Sequence, residues 1–216
     1  ALRARVAPLS AEALAKEIVR RGSFSSGQHL DVRPVMRDKF AAAEPEVRAW
    51  IVRRFADEVA KLQTGKHWKT LGTLHDRHHL LQYLGDMRAR SELRAILARQ
   101  RSFDCCAAPA MARALVACGH KADAWLLARK IPEMRGDEAD EVLHAALEEL
   151  TGLKVDAPKA EGNTTAAFAA RDRAHARAWA EALARHGIGE RGRLYVVIDE
   201  TQRQLAVLRL GEGALC

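Results

Sequence analysis

Three histidines, His75, His78 and His79, stand within about one helical turn in the stretch HDRHHLLQYLG, residues 75–85. On a helical wheel His75 and His79 lie about 40° apart, and Asp86 continues the same flank. Two histidines at this spacing can share a divalent ion when Asp86 or a neighbouring helix supplies a third ligand. The chain lacks the glutamate of a His-Glu-x-x-His protease, so no hydrolytic chemistry follows. We favour exposed polar histidines over a metal site and keep His75, His79 and Asp86 as the candidate metal ligands.

A ridge of arginines forms the second candidate binding surface. Arg90, Arg94 and Arg101 recur at helical spacing, which suits contact with phosphates or acidic side chains. The ridge does not continue further along the chain, so a solvated helix face is the favoured interpretation. The candidate binding residues are Arg90, Arg94, Arg101, His75 and His79. Because no catalytic motif is present, we predict no catalytic residue and no cofactor, and we expect a protein that is not an enzyme.

The overall charge favours an acidic partner. The chain of 216 residues carries a formal charge of +7 and has a pI near 9.5. Such a charge suits nucleic acid, anionic lipid or an acidic protein surface. The basic residues are dispersed, which is more typical of a solvated surface than of a nucleic-acid groove. No apolar run is long enough to cross a bilayer, and the opening residues ALRARVAPLS lack the apolar core of a signal peptide.

The four cysteines do not suggest a disulfide framework. If residues 105–118 are helical, Cys105 and Cys118 lie on the order of 15–20 Å apart, which is too far for a bridge. A bond between the adjacent Cys105 and Cys106 would be strained, and Cys216 stands alone near the end of the sequence. We therefore expect small buried thiols in a reducing compartment, with the cytoplasm favoured.

The elements that must position these residues are helices. Alanine, leucine and arginine dominate the sequence and aromatic residues make up only 5%, a composition that predicts mostly α structure. In the N-terminal segment, 1–43, we predict a helix over 11–21 and a Gly/Ser-rich loop over 22–30. A longer helix is predicted over 46–62, with a core-facing stripe at helical spacing. The stripe comprises Val47, Trp50, Ile51, Phe55 and Val59.

A structural unit is used twice in the middle of the chain. The segments 80–97 and 114–131 align without a gap at an offset of 34 residues, pairing Gly85 with Gly119. In each copy an apolar helix is followed within a few residues by an amphipathic one, which predicts an antiparallel helical hairpin. We expect both glycines to have positive φ and to close the first helix of their copy.

A third copy begins at 136–152, a helix with a clean apolar face that ends at Gly152. Its second helix is displaced by the loop VDAPKAEGN and is predicted over 166–186, before Gly187. Glycine-terminated helix pairs with a period in the thirties resemble the HEAT-like repeats of α-solenoids. This resemblance implies an α-solenoid of helical hairpins over 44–187, a fold that presents an extended surface to binding partners.

The C-terminal segment, 188–216, has a different pattern. RLYVVID and QLAVLRL alternate and are rich in β-branched residues, which predicts a β-hairpin appendage over 193–210. Both faces of its first strand are apolar, so we expect the hairpin to pack on the helices or to join copies of the chain into an oligomer. The two strands are similar to the opening strands of L,D-transpeptidase domains. The histidine and the Ser-x-Gly-Cys segment of that family are absent, so we do not assign its activity.

Two functions follow from these patterns. The first is a non-catalytic helical-repeat scaffold that binds a protein partner through its repeat surface. The alternative is a nucleic-acid-binding protein, or a HEAT-like DNA-repair protein of base excision, that uses its basic helices. For the alternative, four tryptophans are available to stack on a flipped base, although two of them lie in apolar stripes that indicate core positions. The four are Trp50, Trp68, Trp125 and Trp179, and the two in stripes are Trp50 and Trp179.

Overall fold

The chain is mostly helical and divides into two compact units, Ala1–Cys118 and Gly119–Cys216. The boundary falls inside the second copy of the predicted repeat. Within the described ranges no helix is both long and apolar enough to span a membrane. The structure is a computed structural model that describes residues 2–21, 26–64, 78–99, 107–133, 137–159, 161–162, 164–189, 194–199 and 204–209.

The described part of the first unit contains seven helices. These are α1 (Leu2–Val6), α2 (Ala11–Arg21), α3 (Ser26–Ala41), α4 (Pro45–Thr64), α5 (His79–Asp86), α6 (Arg90–Arg99) and α7 (Ala107–Cys118). The helices predicted over 11–21 and 46–62 are therefore confirmed as α2 and α4. Residues 65–77 and 100–106 lie outside the described part, and with them His75, Trp68, Arg101 and two of the cysteines. In the described part Cys118 is not in a disulfide, and it is only partly buried, not fully as expected.

The loop predicted over 22–30 is wrong from Ser26 onward, because α3 begins there. The glycine and serine that suggested a loop occupy the first helical turn, where the backbone N–H groups have no partner within the helix. Further along α3, Val32, Met36 and Phe40 follow one another at intervals of four residues and are fully buried. This apolar stripe holds the segment as a helix despite Pro34 in its interior.

Three aromatic rings form the centre of the first unit. Phe40 from α3, Phe55 from α4 and Tyr83 from α5 are each fully buried. The Phe40 ring centroid lies 5.7 Å from that of Phe55 and 5.8 Å from that of Tyr83, both in edge-on contact. Such pairs contribute about 0.5–1.5 kcal/mol beyond the area they bury. The cluster therefore ties three helices together at one point.

Gly85 serves close helix packing and not helix termination, so the prediction of a positive φ at this residue is wrong. It lies inside α5, where a methyl group at its Cα would be 2.6 Å from Ala114 Cα on α7. The residue with positive φ is Arg88, at 55°. A glycine after an apolar stretch fits either role, and here the alanine-rich surface of α7 decides for close approach.

Gly119 behaves as predicted. It follows the last residue of α7 with a φ of +70°, the left-handed conformation that closes a helix. Because Gly85 and Gly119 have different roles, the two segments do not share one helix-ending signal. The repeat alignment and the solenoid that it implies stay predictions.

The second unit is built around three helices in its described part: α8 (Ala124–Lys130), α9 (Asp137–Thr151) and α10 (Thr165–Arg185). Short 3-10 helices at Lys121–Asp123 and Ile131–Glu133 flank α8. The helices predicted over 136–152 and 166–186 are confirmed as α9 and α10. Trp125 and Trp179 are buried here, and α8 packs against both of its neighbours.

The strands β1 (Leu194–Asp199) and β2 (Gln204–Arg209) pair antiparallel, with Val196 opposite Val207. Residues 200–203 and 210–216 lie outside the described part. The predicted hairpin appendage, with both faces covered and a role in assembly, stays a prediction.

The roles of Gly85 and Arg88 can be separated by two substitutions. Gly85→Ala should lower the free energy of unfolding by about 1–2 kcal/mol, because overpacking against Ala114 outweighs the gain in helix propensity. Arg88→Gly should raise it by up to about 1 kcal/mol, since glycine removes the cost of the left-handed backbone. Urea unfolding of the full chain measures both. A Gly85→Ala variant as stable as the wild-type chain would contradict the close contact with Ala114, and a destabilised Arg88→Gly variant would contradict the left-handed conformation of Arg88.

Candidate functional site

His79 is buried, which corrects the expectation that it lies on an exposed flank. Only 2% of its surface is accessible, and its ring meets that of Tyr83 edge-on at 6.0 Å. His79 is the first residue of α5 and lies four positions before Tyr83, so the two side chains share the inner face of the helix. Burial also raises the pKa of the Tyr83 hydroxyl far above its ordinary value, and that hydroxyl donates to Met36 Sδ at 2.5 Å.

Asp86 forms an ion pair with Arg33 of the same chain. Its two carboxylate oxygens accept hydrogen bonds from Arg33 Nε at 3.1 Å and Nη2 at 2.9 Å. This bidentate pair joins α3 to α5, and the Asp86 side chain is only 11% exposed. Arg90 and Arg94 lie on α6 with intermediate exposure. Within the described ranges no three histidine, cysteine, aspartate or glutamate side chains come together as a metal site.

A polar cluster in the second unit was not anticipated from the sequence. It consists of His144 on α9 and of His175 and Trp179 on α10, and we call the two histidines the histidine pair. His144 Nδ1 lies 2.9 Å from His175 Nε2. The indole Nε1–H of Trp179 points at both, at 3.1 Å from His175 Nε2 and 3.3 Å from His144 Nδ1. Trp179 is fully buried and His175 is 1% exposed.

Helix periodicity puts these groups on the facing sides of α9 and α10. His175 and Trp179 are four residues apart on α10, so they stand one above the other on the same face. His144 and Glu148 have the same spacing on α9, and His144 Nε2 is 3.5 Å from Glu148 Oε1. Thr164 caps α10 by accepting a hydrogen bond from the Ala167 N–H at 3.1 Å.

The point where the two histidine nitrogens and the Trp179 indole nitrogen meet can hold only a fixed number of hydrogens. The Trp179 nitrogen is always a donor, so at least one of the two histidine nitrogens must present a lone pair. In one arrangement the His175 Nε2–H donates to His144 Nδ1. In the other the His144 Nδ1–H donates to His175 Nε2, and His144 can then also carry a proton on the nitrogen that faces Glu148. The cluster therefore accommodates one added proton next to a carboxylate.

Glu148 continues this polar chain to the surface. Its second carboxylate oxygen accepts a hydrogen bond from Lys154 Nζ. This hydrogen bond, with smaller contributions from the charges of Lys154 and His144, lowers the pKa of the Glu148 carboxyl. Lys154 reaches back because Gly152, with a φ of +75°, ends α9 and reverses the chain.

A cleft of about 550 Å³ lies beside this chain, between the non-helical segment 152–156 and α10. Its volume is within the range of ligand-binding clefts. One wall, formed by α10 and the residue that follows it, includes Glu181, Arg185 and His186, and the opposite wall includes Lys154 and Asp156. Each wall carries one carboxylate and one lysine or arginine, so these charges are balanced.

The arrangement suits proton binding and recognition more than metal chemistry. A cation between the two ring nitrogens would meet the hydrogen of the Trp179 indole, so the histidine pair does not suit a metal ion. Imidazoles in contact with a carboxylate can hold or exchange a proton near neutral pH. The cleft adds a surface that can bind a ligand next to that proton site.

The sequence carries a partial signal for the cluster. The pairs His144 with Glu148 and His175 with Trp179 each stand at i, i+4 within a predicted helix. Their meeting depends on how the loop between α9 and α10 returns the chain, and local spacing does not determine this. Comparison with protein-family models, with curated proteins and with solved structures finds no match to this chain.

Lys154→Met should raise the pKa of Glu148 toward its ordinary value, because the lowering hydrogen bond is lost. A carboxyl group whose pKa is lowered by folding stabilises the fold at pH values above its pKa in the unfolded chain, and this stabilisation is lost as the pH falls through its pKa in the folded chain. Because the variant lacks this contribution, it should also lose less stability on acidification. Titration of the labelled Glu148 carboxyl by NMR measures the shift. Lys159→Met is the matched control, an exposed lysine of the same segment. An unchanged Glu148 titration in Lys154→Met would contradict the assigned cause.

Proposed function

We propose that this chain is a non-catalytic helical-repeat scaffold that binds a protein partner, and that the cleft holds an extended peptide segment of that partner. The proposal keeps the HEAT-like solenoid over 44–187 as the architecture. Three features of the cleft support it. Within the described residues, some backbone groups have no hydrogen-bond partner and some charged side chains have no ion-pair partner, and the cleft has equal numbers of acidic side chains and of lysine or arginine side chains.

The observation that carries the proposal is the backbone of one cleft wall. The N–H and C=O groups of Lys154, Val155 and Asp156 make no hydrogen bond with any residue in the described part of the chain. Buried backbone polar groups are normally paired within the protein, whereas those of exposed residues such as Lys154 and Asp156 can bond to water or to a ligand. An extended peptide laid along 154–156 would pair them by adding main-chain hydrogen bonds, as in β-strand addition.

Side chains at the cleft supply the specificity. Asp156 and Arg185 form no ion pair with the residues that the structure describes, although each is exposed at the cleft. A peptide that carries one basic and one acidic residue would complement them. Glu181 bonds to Arg177 at 3.0 Å, and Lys154 bonds to Glu148, so these two are already partly neutralised.

The balance of charge favours a peptide over nucleic acid at this cleft. A phosphate backbone requires an excess of basic side chains, whereas the cleft wall contains two acidic and two basic ones. The alternative function, nucleic-acid binding through the basic helices, is supported by the net charge of +7. Binding of a DNA duplex is therefore measured alongside peptide binding.

Selection from a random peptide library on the full chain, followed by calorimetry of the selected peptide, tests the proposal. We expect a bound peptide with both an acidic and a basic residue, and about tenfold weaker binding by Arg185→Glu and by Asp156→Lys, since each reversal replaces an attractive charge pair with a repulsive one. Arg173→Glu is the control, an exposed arginine of α10 outside the cleft.

Two results would contradict the proposal. One is a selected peptide whose affinity is the same for the wild-type chain and both reversal variants. The other is the absence of any selected peptide together with tight binding of a short DNA duplex that weakens steeply with salt, which would establish the nucleic-acid alternative.

A further inference from the structure

We propose that the histidine pair and Trp179 form a pH-sensitive contact between α9 and α10, stable with no more than one added proton and broken by a second. The contact regulates the cleft, so its biological meaning rests on the proposed function. The existence of the contact does not rest on the proposed function, because the contact follows from the geometry of three nitrogen atoms.

A second added proton cannot be placed in the observed geometry. With both imidazoles charged, His144 Nδ1 and His175 Nε2 each carry a hydrogen, although they lie only 2.9 Å apart. The Trp179 N–H points into the same space, so three donors meet with no acceptor. His175 is 1% exposed, so its ring has no access to water unless the helices separate.

The first proton is tolerated because Glu148 faces the other side of His144. Its carboxylate lies 3.5 Å from His144 Nε2 and is already negative, since its pKa is lowered. His144 can then be a cation that donates from Nδ1 to His175. The contact should therefore respond when the second proton is added, on acidification.

Other charged residues lie on the elements around the contact. One turn before His175 on α10, Arg171 and Asp172 form an ion pair at 2.8 Å. The last turn of α8, which packs against both helices, carries Arg129 and Lys130. Two further elements pack on α10, the 3-10 helix Ile131–Glu133 and β1.

Separation at this contact would change the cleft directly. One cleft wall, 152–156, follows the C-terminus of α9, and the other wall is α10 itself. The Glu148–Lys154 hydrogen bond connects the wall to the helix turn that carries His144. Loss of the contact between α9 and α10 therefore moves the two walls relative to one another, and we expect a bound peptide to be released at acid pH.

The indole N–H signal of Trp179 reports the contact without any ligand. In the full chain labelled with ¹⁵N-tryptophan, with Trp179→Phe identifying the signal, we expect a large shift and faster exchange with water between about pH 7.5 and about pH 5. His175→Gln should abolish this response, because glutamine keeps one donor and one acceptor but does not titrate. His120→Gln, which removes an exposed histidine of the same unit, should retain it.

A Trp179 signal that stays constant to about pH 5, or one that shifts equally in His175→Gln, overturns the proposal. If His175→Gln does not fold, His144→Gln makes the same test from the other side of the contact. Peptide affinity gives the second readout: about tenfold weaker binding at acid pH is expected in the wild-type chain and not in the glutamine variant. Absence of peptide binding at about pH 7.5 refutes the proposed function alone, since the indole signal still decides the contact.

Discussion

The buried indole N–H of Trp179 is the constraint on which the arrangement of the second unit depends. A buried donor without an acceptor costs about 1–3 kcal/mol, so the fold must bring one to it. His175 supplies an acceptor from the same helix, and His144 reaches the same point from α9. Once His144 is held there, Glu148 lies one turn further along α9, Lys154 folds back onto it, and segment 152–156 becomes a wall of the cleft. A short chain of side-chain contacts therefore joins the histidine pair to the cleft, and this chain is the basis of the proposed link between proton binding and ligand binding.

The sequence predicts the helices well because their signals are local. The apolar periodicity of α4, α9 and α10 and the glycine after α7 each act within a few residues. Gly85 shows where such signals become ambiguous. A glycine after an apolar stretch is equally suited to a left-handed turn or to a close helix contact, and the choice depended on Ala114, which is 29 positions away in the chain. Arg88 took the left-handed conformation that the pattern had assigned to glycine.

The candidate site could not be predicted for the same reason. The exposed histidine cluster that the sequence suggested begins outside the described residues and ends at His79, which faces the core of the first unit. Asp86, the proposed third ligand, is bound by Arg33 from a helix more than fifty positions earlier. Both residues were assigned from the wheel of a single helix, whereas their environments are set by other helices. The histidine pair was missed because its members lie on two helices joined by an irregular loop, and spacing within either helix does not reveal the contact.

The hydrogen bond between the two imidazoles joins α9 to α10, and a scalar coupling transmitted across that bond measures it. In the full chain labelled with ¹⁵N-histidine, at about pH 7.5, a nitrogen–nitrogen coupling between His144 Nδ1 and His175 Nε2 should be observed. One of the two nitrogens should show the chemical shift of a protonated ring nitrogen, and the other that of an unprotonated acceptor. If no coupling is found and both nitrogens titrate independently like exposed histidines, then α9 and α10 are not joined through this contact. The link between proton binding and the cleft would then be wrong.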